Sequence, residues 1–176
     1  MKWARAKSGA SLIIAVDVVD AKLASAKELG ADVVINALQD DPVAAVNDLT
    51  RGEGVDVAVD AIGGTGIGIK QALGMVAHNG TISIYGDNYA PVNDFSFHRF
   101  HEDGLTVRNL NAMHYTKLRS VEHAREAYRA VQRGVFDVDV ILRNSDRYTL
   151  DEIGDVFAKE AEALDTQASL KTLIIP

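Results

Sequence analysis

The stretch SLIIAVDVVDAKLASAKELGADVVIN, residues 11–36, decides how the rest of the chain is read. It opens with a β-branched run, SLIIAVDV (11–18), and passes into AKLASAKEL (21–29), which has helical period. It then reaches Gly30, a suitable helix stop, and closes with the short apolar run DVVIN (32–36). Strand, helix and strand in this order are what a parallel sheet covered by helices requires.

The same order continues downstream. Further strand-like runs are VDVAVDAI (55–62), GTISIYG (80–86) and LTVRNLN (105–111), separated by helical segments at 41–50 and 66–78. Asp20 and Asp41 are N-cap candidates, and Pro42 suits a first helical turn. The first five to seven residues read as the end of a helix. Beyond Leu110 the alternation gives way to two helical segments. SVEHAREAYRAVQRG (120–134) has Ser120 as its cap candidate and Gly134 as its stop, and TLDEIGDVFAKEAEAL (149–164) opens with Asp151 and Glu152. SLKTLIIP (169–176) reads as a last strand ended by proline. The reading is an α/β, Rossmann-like parallel sheet with helices on both faces, followed by C-terminal helices and a strand. Residues 1–176 are expected to form a single, incomplete nucleotide-binding domain, with residues from about 140 to 176 as an extension.

Composition narrows the partners. The chain has 176 residues, 47% of them hydrophobic, with 25 acidic against 18 basic residues and a net charge of -7. That balance disfavours a phosphate backbone or an anionic membrane as a general partner. No cysteine is present, so disulfides, thiol nucleophiles and thiolate zinc sites are excluded. No segment approaches the length of a transmembrane helix, and no cleavage pattern follows the N-terminal apolar run. A cytoplasmic protein is expected.

Asp17 is the first candidate for chemistry. In a strand–helix–strand nucleotide fold, a carboxylate at the end of the second strand accepts hydrogen bonds from adenosine ribose hydroxyls and repels a 2′-phosphate. Val18 and Val19 follow it rather than a basic residue, which favours NAD over NADP. An aspartate also commonly ends a strand and begins a turn, and this residue alone does not separate the readings.

AIGGTGIGIK (61–70) is the second candidate. It fails both strict phosphate-loop tests: counted from Gly64, the third glycine of G-x-G-x-x-G falls at Ile69; counted from Gly63, the lysine of a P-loop falls there too. Its glycines suit a close approach either to a ligand ring or to another stretch of backbone, and the sequence leaves the two open. His98 and His101, with Glu102 and Asp103 nearby, have a spacing seen at metal sites but read as a solvated helix turn. His78, His114 and His123 have no sequence neighbour that suggests a general base or ligand.

Read together, IIAVD, AKLASAKELGADVVIN, GVDVAVDAIG, NGTISIYG and RAVQRGVFDVDVILRNSDRYTLDEIGDVF resemble, in this order, the C-terminal part of the medium-chain dehydrogenase/reductase family, in particular its zinc-type alcohol, polyol and threonine dehydrogenases. The resemblance implies the NAD-binding part of an enzyme that transfers hydride between an alcohol and NAD. It matches Asp17 to the adenosine-ribose carboxylate and Lys22 to a basic residue beside that ribose. Ala61, Ile62 and Gly63 match the turn flanking the adenine and nicotinamide-ribose side. Tyr85, Gly86 and Asp87 match the segment that meets the nicotinamide carboxamide; residues 109–112, including Asn111, match the next segment near that ring. Lys171 matches a basic position at the pyrophosphate, although the family more often has arginine there. The glycine-rich loop, the first strand and the zinc ligands of the family have no counterpart, so the fold is expected to be N-terminally truncated, with zinc only in a missing N-terminal domain and NAD bound weakly or not at all by the chain alone. No catalytic residue is assigned. The resemblance also implies a homodimer through the sheet edge near 105–111 and a complementing N-terminal chain. A non-catalytic Rossmann-like binding or interaction module is the alternative.

Overall fold

A computed structural model describes residues 1–87, 89, 97–110, 117–136, 138–162 and 171–175. The architecture is α/β, and every strand pairing among the described residues is parallel. Residue contacts gather the chain into two compact units, Met1–Asp40 with Val121–Pro176, and Asp41–Ser120.

In the first unit, α1 (Lys2–Ser8) ends at Gly9, whose φ of 65° puts it in the left-handed region that glycine reaches without a Cβ penalty. β1 (Ile14–Asp17) and β2 (Val33–Asn36) pair in the register Ile14↔Val33 to Asp17↔Asn36. α2 (Asp20–Glu28) connects them and buries Leu23 and Ala26. Asp20 does not cap α2 as expected. It is the first helical residue, and its carboxylate instead accepts a 2.6 Å hydrogen bond from Asn36 Nδ2, which ties the helix to the end of β2. α6 (Lys117–Gln132) starts three residues before the expected cap at Ser120, and Gly134 ends it with φ 68°. Trp3 of α1 meets Phe136 edge-on at 5.2 Å, and Lys7 pairs with Glu126.

Two elements of this unit have no counterpart in the sequence reading. α7 (Val138–Arg143) buries Val140, and β6 (Asp146–Thr149) pairs with β7 (Thr172–Ile175), the expected last strand. Both are short, so the periods that would mark them barely repeat. Thr149 and Glu152 form a reciprocal capping box that opens a 3₁₀ turn (Leu150–Glu152) and then α8 (Ile153–Glu162).

In the second unit, Asp41 caps α3 (Pro42–Leu49) by accepting from Val43 N at 3.0 Å, with Pro42 in the first turn as expected. β3 (Val55–Asp60), β4 (Val76–Ile84) and β5 (Thr106–Asn109) form a three-stranded sheet in that order. α4 (Ile67–Met75) packs on it, burying Ala72 against Ala58, Val76 and the fully enclosed Ile82. α4 stops earlier than its apolar pattern suggests. Val76 is already extended (φ -73°, ψ 137°) and pairs with Val55, so three residues read as helix belong to β4. A short helix, α5 (Phe97–Glu102), precedes β5.

Among the described residues, β1 is hydrogen-bonded only to β2, and β3 only to β4. One long edge of each strand therefore carries main-chain donors and acceptors with no strand partner.

Candidate functional site

In the second unit the site grows from the carboxyl ends of two adjacent parallel strands, the place where open α/β sheets present ligands. β3 and β4 lie in the register Asp60↔Ile84, so the chain leaves both at the same level, through turns 61–66 and 85–87. Gly63 and Gly64 hold φ values of 74° and 73°, and Gly66, which opens α4, holds 76°.

The two turns interlock through their backbones. Gly64 N donates to Asp87 O at 2.8 Å. A Cβ on Gly63 would stand 2.7 Å from Asp87 O, and one on Gly86 would stand 2.3 Å from Gly63 N. The question left open by AIGGTGIGIK is thereby answered for Gly63: its missing side chain admits another backbone. Two large side chains project from the joined turns, Ile62 at 64% exposure and Tyr85 at 68%. Ala61 and Asp87 are also exposed. The result is a rigid crossing that offers an apolar surface bordered by main-chain groups.

Asp17 and Lys22 lie on the first unit's β1–α2 connection. Asp17 Oδ1 accepts from Val18 N at 2.8 Å and from Val19 N at 3.0 Å, which orients the carboxylate. Among the described residues, no hydrogen bond is made to Oδ2, leaving an acceptor for a ligand hydroxyl. Lys22 is half-buried in the first turn of α2, its N–H donating to Val19 O at 3.0 Å. Lys171 is exposed immediately before β7, and its carbonyl accepts from Asp146 N. Asn111 lies outside the described residues. The structure thus joins 61–63 to 85–87 within one unit, and places Asp17, Lys22 and Lys171 in the other.

A groove of about 260 Å³ lined by Trp3, Lys7, Glu126, Arg129 and Arg133 contains none of the residues matched to the cofactor. His78 Nδ1 lies 3.3 Å from Asp103 Oδ1, while Arg99 also pairs with Asp103 at 2.9 Å. Sequence spacing could not have joined His78 to Asp103. No group of three or more His, Cys, Asp or Glu side chains that could hold a metal occurs among the described residues, and none of their helices is long and apolar enough to cross a membrane.

The residue that sequence reasoning missed is Asp60. In VDVAVD the valines alternate with polar or small residues, which suggests that the valines point inward. The structure reverses this: Val57 and Val59 are 57% and 60% exposed, whereas Asp60 is 2% exposed. A period of two defines two faces without saying which is buried.

The sequence profile of the family described as "Zinc-binding dehydrogenase" matches residues 1–132. The chain is 34% identical over 125 residues to the L-threonine 3-dehydrogenase of Bacillus velezensis, covering 68% of this chain and 35% of that protein. It is 31% identical over 163 residues to an alcohol dehydrogenase of Cupriavidus necator, covering 89% of this chain and 42% of that protein. Among solved structures, benzyl alcohol dehydrogenase from Acinetobacter calcoaceticus superposes with a TM-score of 0.75 at 31% identity, over 94% of this chain and 42% of the other. The chain spans less than half the length of each.

Proposed function

The chain belongs to the zinc-binding dehydrogenase family, and from that premise we propose that it supplies the NAD-binding part of an enzyme that moves hydride between an alcohol or polyol and NAD. Asp17 carries the reading. Its Oδ1 is engaged by two backbone N–H groups, and its Oδ2 remains available to the adenosine ribose hydroxyls. A 2′-phosphate would meet that carboxylate as a like charge, so NAD is preferred to NADP. The turns at 61–63 and 85–87 take the nicotinamide side, with Lys22 beside the ribose, and Asn111 and Lys171 as further contacts.

Bound NAD supplies the hydride acceptor, and the chain's residues bind and orient it. As in the family, zinc is assigned to a separate N-terminal part, and no catalytic step is assigned to a residue of this chain. A complementing N-terminal segment would bring the family's first strand and phosphate loop. β5, exposed at all four residues and, among the described residues, paired only with β4, favours a homodimer through its other edge. The cytoplasm is the compartment that fits such a protein.

Fluorescence titration with NADH and NADPH is the test. NADH is expected to bind more tightly, and Asp17→Ser to narrow the difference. Equal affinity for the two cofactors in the unmodified protein would overturn the role of Asp17, and no response to either, even with an added N-terminal fragment that carries the phosphate loop, would favour the non-catalytic module instead.

A further inference from the structure

Asp60 combines three properties at the junction of the two turns. It is an ionisable side chain with 2% exposure, it sits at the last position of β3, and it touches both turns of the site. Its carboxylate Oδ1 accepts from Ile62 N at 3.1 Å and from Gly63 N at 3.4 Å. Its main-chain carbonyl accepts from Tyr85 N at 2.8 Å and from Gly86 N at 2.9 Å. One residue therefore holds the first turn with its side chain and the second with its backbone. Burying a carboxylate is costly, and the cost is offset only where donors converge on it, as the turn's N–H groups do here.

Gly68, the second residue of α4, completes the arrangement. A Cβ there would lie 2.1 Å from Asp60 Oδ1, so the helix leaves the space in which the carboxylate reaches the turn. The two positions are sterically coupled: any side chain at residue 68 must displace the carboxylate or the helix.

We propose that Asp60 is the positioning residue for the nicotinamide side of the bound dinucleotide. It sets the backbone of Ile62 and Gly63, and so the aim of the exposed Ile62 side chain, without touching the ligand. This deepens the dinucleotide-binding reading and rests on it. A residue that positions one half of a ligand must affect that half selectively, whereas loss of stability alone weakens every contact.

The experiment compares the unmodified protein with Asp60→Ala, Asp60→Asn and Gly68→Ala, measuring binding of NADH and of AMP and the amide exchange of Ile62, Gly63 and Ile82. For Asp60→Ala, the dissociation constant for NADH is expected to rise about tenfold, that for AMP to stay within about twofold, and exchange at Ile62 and Gly63 to quicken about tenfold with Ile82 unchanged. Gly68→Ala should reproduce the split by displacing the carboxylate, and should add little once Asp60 is already alanine. Asp60→Asn, which keeps the shape and one acceptor oxygen, should show the same split more mildly, which guards against misfolding of the alanine variant. If NADH and AMP weaken together, or if NADH binding and turn exchange do not change, the role of Asp60 falls while the dinucleotide reading stands. If the unmodified protein, supplied with an N-terminal fragment that carries the phosphate loop, binds neither NADH nor AMP, the dinucleotide reading falls and this inference with it.

Discussion

Gly63 and Gly86 face one another so closely that a Cβ on Gly86 would stand 2.3 Å from the Gly63 nitrogen. Two turns from neighbouring parallel strands cross there without an intervening side chain, and Gly64 N donating to Asp87 O closes the crossing. Their contact is covalently remote but structurally stiff, because each turn blocks the movement of the other.

Gly86→Ala and Gly63→Ala are therefore expected to destabilise the protein by more than about 2 kcal/mol each, since the added methyl meets backbone that cannot rotate away. Gly64→Ala is the control. Its φ is similar to that of Gly63, but an added Cβ would meet only the Tyr89 hydroxyl at 3.7 Å, so its cost should be limited to the left-handed backbone, about 1–2 kcal/mol. Denaturant unfolding of the three variants checks the ranking.

Ile82 has no exposed surface and stands in the central strand of the β3–β4–β5 sheet, in register with Ala58 and Val107. Ile82→Ala should cost about 2–5 kcal/mol, as expected for a large-to-small change in a closed core. Val57→Ala, at a side chain 57% exposed on the neighbouring strand, should cost less than about 1 kcal/mol. Equal losses in thermal unfolding would show that Val57 is covered in solution.

Three exposed carboxylates give the protein an acid limb. The Arg5 guanidinium, and then Ile13 N–H, hold Asp32 below the usual carboxylate range; Lys7 does the same to Glu126. Thr149, through its backbone N–H and then its hydroxyl, lowers Glu152. Because folding lowers these pKa values, the stability they contribute is present above the ordinary carboxylate pKa and disappears as the pH falls through the lowered values. The melting temperature should fall between about pH 5 and about pH 2, less steeply in high salt. Arg5→Met should flatten part of that limb, and an unchanged pH profile would show that the Arg5–Asp32 pair contributes nothing in solution.

The Thr149–Glu152 capping box opens the 3₁₀ turn that leads into α8. Thr149→Ala removes the side-chain acceptor and should cost about 0.5–2 kcal/mol. Thr149→Ser keeps the hydroxyl and should restore most of the loss. Helix content followed through thermal unfolding distinguishes the two.

A dimer through β5 would place Val107, 42% exposed, at the free sheet edge. Val107→Pro removes a backbone donor and should abolish concentration-dependent association measured by light scattering. Association that survives the substitution would locate the interface elsewhere.

Much of this molecule was determined locally. The alternation of β-branched runs with helical periods is enough for an α/β parallel fold, because each period reports the faces of its own element. Asp17 at the end of its strand and Asp41 before Pro42 were legible for the same reason: a strand end and a helix cap involve neighbours in sequence. Tertiary structure decided what depends on distant segments meeting. No spacing within AIGGTGIGIK could reveal that Gly63 admits Gly86, since the register Asp60↔Ile84 brings the turns together. Nor could VDVAVD reveal that its aspartate is buried and two of its valines exposed. The alternation is symmetric between the two faces, and only the packing of α4 on one of them, with Gly68 leaving space for a carboxylate, breaks that symmetry.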